Sequence, residues 1–246
     1  DLAARQRLDL NVTRYHWATI DAALSLSREL REGLLLSLGG GYAYDHFWNI
    51  ERQAGALGVI APVERRRPFF EATAELTFDV SELRLDRRQE LDLHARVNTG
   101  QRNMWRVSWE YQKVFAFGWH DLWLRSRGEL MGGDVIIPEE ASVGGVALHG
   151  VFASSIYAHR VTGVTAETRL SVTRDLFKVG LFGDLAAYED LDRLAHVNRW
   201  RLGAALGGSL HALIASLWQL DVYYGVGRTS GGLRDRSLSA SLKKAF

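Results

Sequence analysis

The chain has 246 residues, 47% of them hydrophobic and 24% charged, and its 30 basic and 29 acidic side chains leave a net charge of +1. That hydrophobic content excludes a disordered chain, and the balanced charge gives no bulk electrostatic footprint for nucleic acid. With no cysteine there is no disulfide, thiolate metal site or thiol nucleophile.

The mean hydropathy is -0.12, yet no uninterrupted apolar run approaches the ~20 residues that a membrane helix needs. The chain alternates instead at a period of two. About twelve segments read as strands: 5–14, 18–29, 33–47, 67–81, 88–99, 103–117, 120–132, 161–173, 177–189, 199–210, 216–228 and 234–246. In the fourth, Phe70, Ala72, Ala74, Leu76, Phe78 and Val80 share one face, and Glu71, Thr73, Glu75, Thr77 and Asp79 the other. In the sixth, Trp105, Val107, Trp109 and Tyr111 line one side. In the eighth, Val164, Ala166, Leu170 and Val172 oppose Thr165, Glu167, Arg169 and Thr173, and in the eleventh Trp218, Leu220, Val222, Tyr224 and Val226 lie together.

A soluble sandwich would turn these apolar faces inward. So many strands with one apolar and one charged face fit the reverse, apolar toward lipid and charged toward a closed lumen. The expected fold is all-β, a transmembrane antiparallel up-and-down β-barrel forming one domain over 1–246. By parity the lumen receives Arg7, Asp9, Glu71, Glu75, Asp79, Asp92, Arg96, Arg106, Glu110, Arg125, Arg127, Glu129, Glu167, Arg169, Asp184 and Asp221. Mixed signs at that density predict salt-bridge ladders rather than a one-sign ion filter. Eight Trp and eight Tyr suit interfacial girdles.

The connections support the strand list. Short turns fall at 29–32, 82–87, 118–119, 174–176 and 211–215. The alternate connections include two long ones, 48–66 and 133–160, with Pro62, Pro68 and Pro138 in or beside them. Proline cannot donate to a ladder, and short turns on one side with long loops on the other is the barrel asymmetry. The long loops are placed outside the cell. No signal peptide is visible at Asp1. A barrel must be exported, so a mature or trimmed chain is expected, with room for domains ahead of it.

The last segment carries Leu238, Ala240, Leu242, Lys244 and Phe246 on one face. A terminal aromatic after alternate apolar positions resembles the signal that barrel-assembly machinery reads, here Leu238, Ala240, Leu242 and Phe246. Lys244 departs from that pattern, but a lysine near the interface can snorkel.

Three further pieces follow in order. They are Val143-Gly144-Gly145 with Leu148-His149-Gly150-Val151-Phe152, then Ala166-Glu167-Thr168-Arg169-Leu170, then Leu181-Phe182-Gly183-Asp184-Leu185. A glycine-rich 203–208 and Tyr223-Tyr224-Gly225-Val226-Gly227 come after them. In order and spacing, 139–246 resembles the C-terminal half of the barrel in the BamA/TamA family (bacterial surface antigen family), whereas 1–138 matches only as generic barrel strands. The resemblance implies that loop 133–160 folds back into the lumen, with His149, Gly150 and Phe152 docking on Glu167, Arg169 and Asp184. In the family an arginine stands where this chain has His149. A His–Asp hydrogen bond is weaker than a bidentate Arg–carboxylate pair and strengthens on protonation, near ~6.5 for an ordinary histidine. His149 is therefore expected to dock toward Asp184 or Glu167, the alternative being an exposed loop histidine. The family barrel has sixteen strands and carries POTRA domains ahead of it. The shorter chain alters the seam between first and last strands, so insertase activity does not simply carry over.

Barrel enzymes set a serine and a histidine together near the outer rim. Here the eight histidines fall mostly near turns, and no Gly-x-Ser-x-Gly elbow, His-Glu-x-x-His helix or P-loop is present. No catalytic, cofactor or metal residue is assigned. The resemblance implies protein assembly, secretion or anchoring in the outer membrane of a Gram-negative-type bacterium. The implied partners are membrane lipid, the assembly machinery during biogenesis, and a periplasmic or fused protein, but no nucleic acid. A passive small-solute channel and a structural barrel subunit of a larger envelope complex are the alternatives.

Overall fold

The computed structural model describes residues 14–51, 65–78, 89–99, 103–135, 139–152, 156–192, 197–214 and 218–244. These form β1 (Arg14–Arg31), β2 (Leu34–Glu51), β3 (Arg65–Phe78), β4 (Gln89–Asn98), β5 (Met104–Phe117), β6 (His120–Gly133), β7 (Ala141–Ser142), β8 (Tyr157–Ala158), β9 (Arg160–Thr173), β10 (Phe177–Asp192), β11 (Val197–Ile214), β12 (Trp218–Thr229) and β13 (Arg234–Lys244). Eleven of them make one sheet in the order β1-β2-β3-β4-β5-β6-β9-β10-β11-β12-β13, every pair antiparallel. The connection from β6 to β9 carries β7 and β8 as a separate two-stranded ribbon. This is the up-and-down meander expected from the alternation. The strands of the large sheet run from 10 residues in β4 to 18 in β1, enough for the ~9–11 that a tilted strand needs to cross a membrane.

Eleven of the expected segments correspond to the eleven strands of the sheet. The expected strand 5–14 lies outside the described residues except for Arg14, which opens β1, and Phe246 lies outside them too. The expected turn at 211–215 is corrected in part: β11 continues through His211 to Ile214. β1 and β13 are the sheet's two edges, and among the described residues they do not pair.

The alternation sorts the side chains as the sequence implied. Along β9, Val161, Thr165, Glu167 and Arg169 are buried, while Val164, Leu170 and Val172 are more than half exposed. Leu24, Leu206 and Leu238 are exposed by 88%, 70% and 67%, figures that in water would mark a misfolded surface but suit a lipid-facing one. The sheet is strongly curled. The Tyr223 hydroxyl on β12 accepts from Arg125 Nη1 on β6 at 3.3 Å, four strands away in the sheet. The concave face is the lumen. Gly33 (φ 77°) and Gly118 (φ 67°) hold the left-handed conformation that two tight hairpin turns require.

On the convex face, Trp109 pairs in register with Gly128 and its ring covers that glycine, as Trp105 covers Gly132. An aromatic ring laid over a cross-strand glycine fills the space that a side chain would take. A Cβ at Gly128 would sit inside the Trp109 ring. Gly128→Val is expected to unseat the indole and cost about 1–3 kcal/mol, the range for overpacking. The urea midpoint of the lipid-embedded barrel measures it, and an unchanged midpoint would show that the indole moves aside freely.

The close-packed apolar cluster lies inside the curl. Val143, Leu148, Val151, Ile156 and Ala158 from the loop pack with Met131, Val161, Ala186, Tyr188 and Ala205 from the wall. The chain's core is its own loop lodged in the lumen.

Candidate functional site: the lumen loop and its wall

The connection from β6 to β9 enters the lumen because its backbone satisfies itself there. β7 and β8 pair, the helical turn α1 (Val143–Val146) follows β7, and Val143 N donates to Ile156 O at 3.0 Å. Val151 N donates to Leu148 O at 3.1 Å, closing the tight bend that carries His149 and Gly150. The wall is cut to receive this bend. A Cβ on Gly225 would lie 3.0 Å from Gly150 Cα, and one on Gly203 would lie 2.6 Å from the Leu148 side chain. One on Gly150 would lie 2.7 Å from the Val226 backbone. Loop and wall meet backbone to backbone, which only glycine permits.

The bend is pinned at Asp184 on β10, a fully buried side chain. His149 N donates to Asp184 Oδ2 at 2.7 Å, and His149 Nδ1 lies 3.1 Å from the same oxygen. Thr165 Oγ1 on β9 donates to Asp184 Oδ1 at 2.8 Å, so both carboxylate oxygens are engaged. The His149 ring stacks on Tyr223 (centroids 4.7 Å, 24° between planes) and meets Phe182 edge-on at 5.3 Å. Further along, Phe152 N donates to Asp235 Oδ2 on β13 at 2.9 Å, while the Phe152 ring is 54% exposed. A second histidine–carboxylate contact, His159 Nε2 to Glu140 Oε1 at 3.2 Å, braces the loop's return.

Below the bend lies a buried polar cluster centred on Glu167, whose side chain is wholly inaccessible. Glu167 accepts from Arg169 Nη2 at 2.7 Å and Ser209 Oγ at 2.6 Å, and it lies 2.6 Å from His211 Nε2. Tyr223 OH donates to it at 3.3 Å, and Arg125 Nη2 lies 3.7 Å away. His211 reaches on through Nδ1 to Asp221 at 2.7 Å. The Arg169 guanidinium rests on the Trp123 ring at 4.0 Å. Tyr223 links the two layers, with its ring under His149 and its hydroxyl on Glu167.

Of the residues the sequence singled out, the structure brings together His149, Gly150 and Asp184 at the bend and Glu167 with Arg169 beneath it. His149 meets Asp184 rather than Glu167. Phe152 joins through its amide rather than its ring. Ser209 and His211 were not singled out, and Tyr223 was noted only as part of the Tyr223-Tyr224-Gly225-Val226-Gly227 run, not as a docking residue. For His211 a signal existed: in register it sits opposite Asp221, already assigned to the lumen, but the expected strand ended one residue short of it.

On the other side of the lumen, ion pairs run along the wall: Arg106 with Glu129, Arg127 Nη2 with Glu110 at 2.6 Å and Arg96 with Asp21 at 3.3 Å, and His94 Nε2 lies 3.1 Å from Glu71. Mixed-sign ladders are what the parity predicted, with Asp21 joining as a residue that reading had not placed in the lumen. Among the described residues, the carboxylates of Glu75, Glu90 and Asp92 come close enough together to suggest a cation site. Exposed acidic groups of this kind carry no assignment without a further donor.

A curled antiparallel up-and-down sheet with an apolar outer face, a charged lumen and a docked inner loop defines an outer-membrane-type β-barrel fold. No family model and no curated protein matches the chain. Among solved structures, the fold matches BamA from Haemophilus ducreyi lacking POTRA domains 1–3, with a TM-score of 0.68, 11% identity, and coverage of 93% of this chain and 55% of that one. It also matches CdiB from Acinetobacter baumannii, with a TM-score of 0.60, 16% identity, and coverage of 93% and 42%. The chain thus has the BamA and CdiB fold, and the likeness spans its generic N-terminal strands as well as 139–246. It covers about half the length of each of these structures.

Proposed function

We propose that this chain is a shortened, BamA/TamA-like barrel of the outer membrane that serves the assembly, secretion or anchoring of a partner protein without a catalytic centre. The observation that carries the reading is the loop bend seated on Asp184 inside a BamA-like sheet. A passive pore gains nothing from filling its lumen, whereas a barrel that handles polypeptide needs a closed resting state. Among the described residues β1 and β13 have no partner on their outer sides, and a strand edge of that kind, offering backbone donors and acceptors to an incoming strand, would supply the other requirement. A periplasmic or fused protein is the expected partner, and the barrel itself is a client of the assembly machinery through its C-terminal strand.

Depletion of the protein in its native host, followed by quantification of outer-membrane and surface proteins, tests this. A photo-crosslinker at Ser25 on β1 should also trap a polypeptide. Selective loss of a defined set of proteins together with that adduct is expected. An unchanged envelope proteome with no adduct, alongside a steady open conductance, would overturn the reading in favour of a channel.

A further inference from the structure

The β12–β13 hairpin carries a feature that neither the lumen nor the strand edge uses. Arg228 on β12 lies directly opposite Arg234 on β13, and Arg236 lies two residues along, opposite Val226. All three are exposed, on the same face as Tyr224, Val226, Leu238 and Leu242, while their strand neighbours Thr229 and Ser237 are buried toward the lumen. The three arginines are therefore on the convex face, at the end of the hairpin next to the turn at 230–233.

Directly opposed side chains have Cβ atoms ~5 Å apart, and like charges in that position repel. Among the described residues, nearby acids do not relieve this. Asp235 turns the other way, where its carboxylate accepts from Phe152 N, and Asp190 takes Arg201 at 3.2 Å. Among the described residues, none of the three arginines makes an ion pair. Three guanidinium forks, each with five donors and no acceptor, share one face at adjacent register positions with no ion-pair partner among the described residues. The apolar stripe of Val226, Tyr224 and Leu238 begins directly beside them. A ligand that satisfies both parts has a phosphate at one end and hydrocarbon at the other. Arginine is suited to the phosphate because its planar fork bonds two oxygens at once.

We propose that Arg228, Arg234 and Arg236 form a clamp for the phosphorylated headgroup of an anionic lipid, whose tails lie along Val226, Tyr224 and Leu238. The site rests on the reading that the convex face meets lipid. It pins a lipid on the β12–β13 hairpin, next to the sheet edge where a seam would open.

The full chain is reconstituted in phosphatidylcholine vesicles containing a minor fraction of phosphatidic acid, released in mild detergent, and its retained lipid read by native mass spectrometry. Heat-modifiable gel migration reports folding and insertion independently. Wild type should retain phosphatidic acid, and R228Q/R234Q/R236Q should retain on the order of tenfold less, as expected for loss of charge-assisted bonds. R228K/R234K keeps the charge but not the fork, and should show an intermediate loss; it also serves if the triple variant does not fold. Inorganic phosphate at millimolar level should leave retention unchanged. Equal retention by wild type and a folded variant overturns the clamp, and displacement by inorganic phosphate would show a soluble-anion site instead. Failure of wild type to insert into any vesicle would overturn the lipid-facing reading itself, a distinct result.

Discussion

Asp184→Ala is expected to release the loop bend and turn a quiet barrel into a conducting one. The substitution removes the acceptor for His149 N and the partner of its Nδ1 in one step, and leaves Thr165 Oγ1 without its acceptor. Hydrogen bonds to a buried charged group contribute about 1.5–3 kcal/mol each. Losing about 3 kcal/mol shifts the docked-to-undocked ratio by roughly a hundredfold. Val143, Leu148 and Val151 still favour the lumen, so the expected record in planar bilayers is frequent flickering to an open level rather than permanent opening. Asp184→Asn should flicker less, since its amide oxygen still accepts from His149 N. Gly150→Val gives the same outcome by a different route, because its side chain collides with the backbone at Val226 without touching any charge. If all three variants stay as quiet as wild type, the apolar side of the loop holds it alone and the Asp184 contacts are incidental.

How far these contacts could be read beforehand depended on which features follow a local rule. The strands obey the pleat, so parity alone placed Glu167, Arg169 and Asp184 on the lumen wall and Val164, Leu170 and Val226 on the lipid side. The ribbon of Ala141–Ser142 with Tyr157–Ala158 is too short to alternate, and nothing in the residues announces it. The His149–Asp184 contact came from the family resemblance rather than from spacing. The His211–Glu167 contact was invisible because it depends on curl: Glu167 and His211 sit on β9 and β11, with β10 between them, and their side chains meet only because the sheet bends sharply there. The Gly225–Gly150 approach is tertiary in the same sense. The sequence shows glycines but not which backbone each must admit.

Curl is also what makes Glu167 the most costly side chain to remove. Glu167→Ala is expected to destabilise the barrel by about 3–5 kcal/mol, the range for breaking a buried ion pair from one side. The carboxylate faces Arg169, Ser209, His211, Tyr223 and Arg125 from four different strands. Without it, Arg169, itself only 4% exposed, keeps its stack on Trp123 but no counter-charge at that distance. Glu167→Gln preserves the shape and should lose less, yet it still leaves the cation uncompensated. The urea midpoint in lipid vesicles measures both. The more informative quantity is the coupling between this site and the loop. Tyr223 stacks on His149 through its ring and bonds Glu167 through its hydroxyl, so loosening the wall should loosen the loop. In a double-mutant cycle, Glu167→Ala and Asp184→Ala are expected to deviate from additivity by about 0.5–3 kcal/mol. Additivity within about 0.5 kcal/mol would mean that the wall cluster stiffens the barrel and the bend closes it as two separate devices, with Tyr223 only a spacer between them.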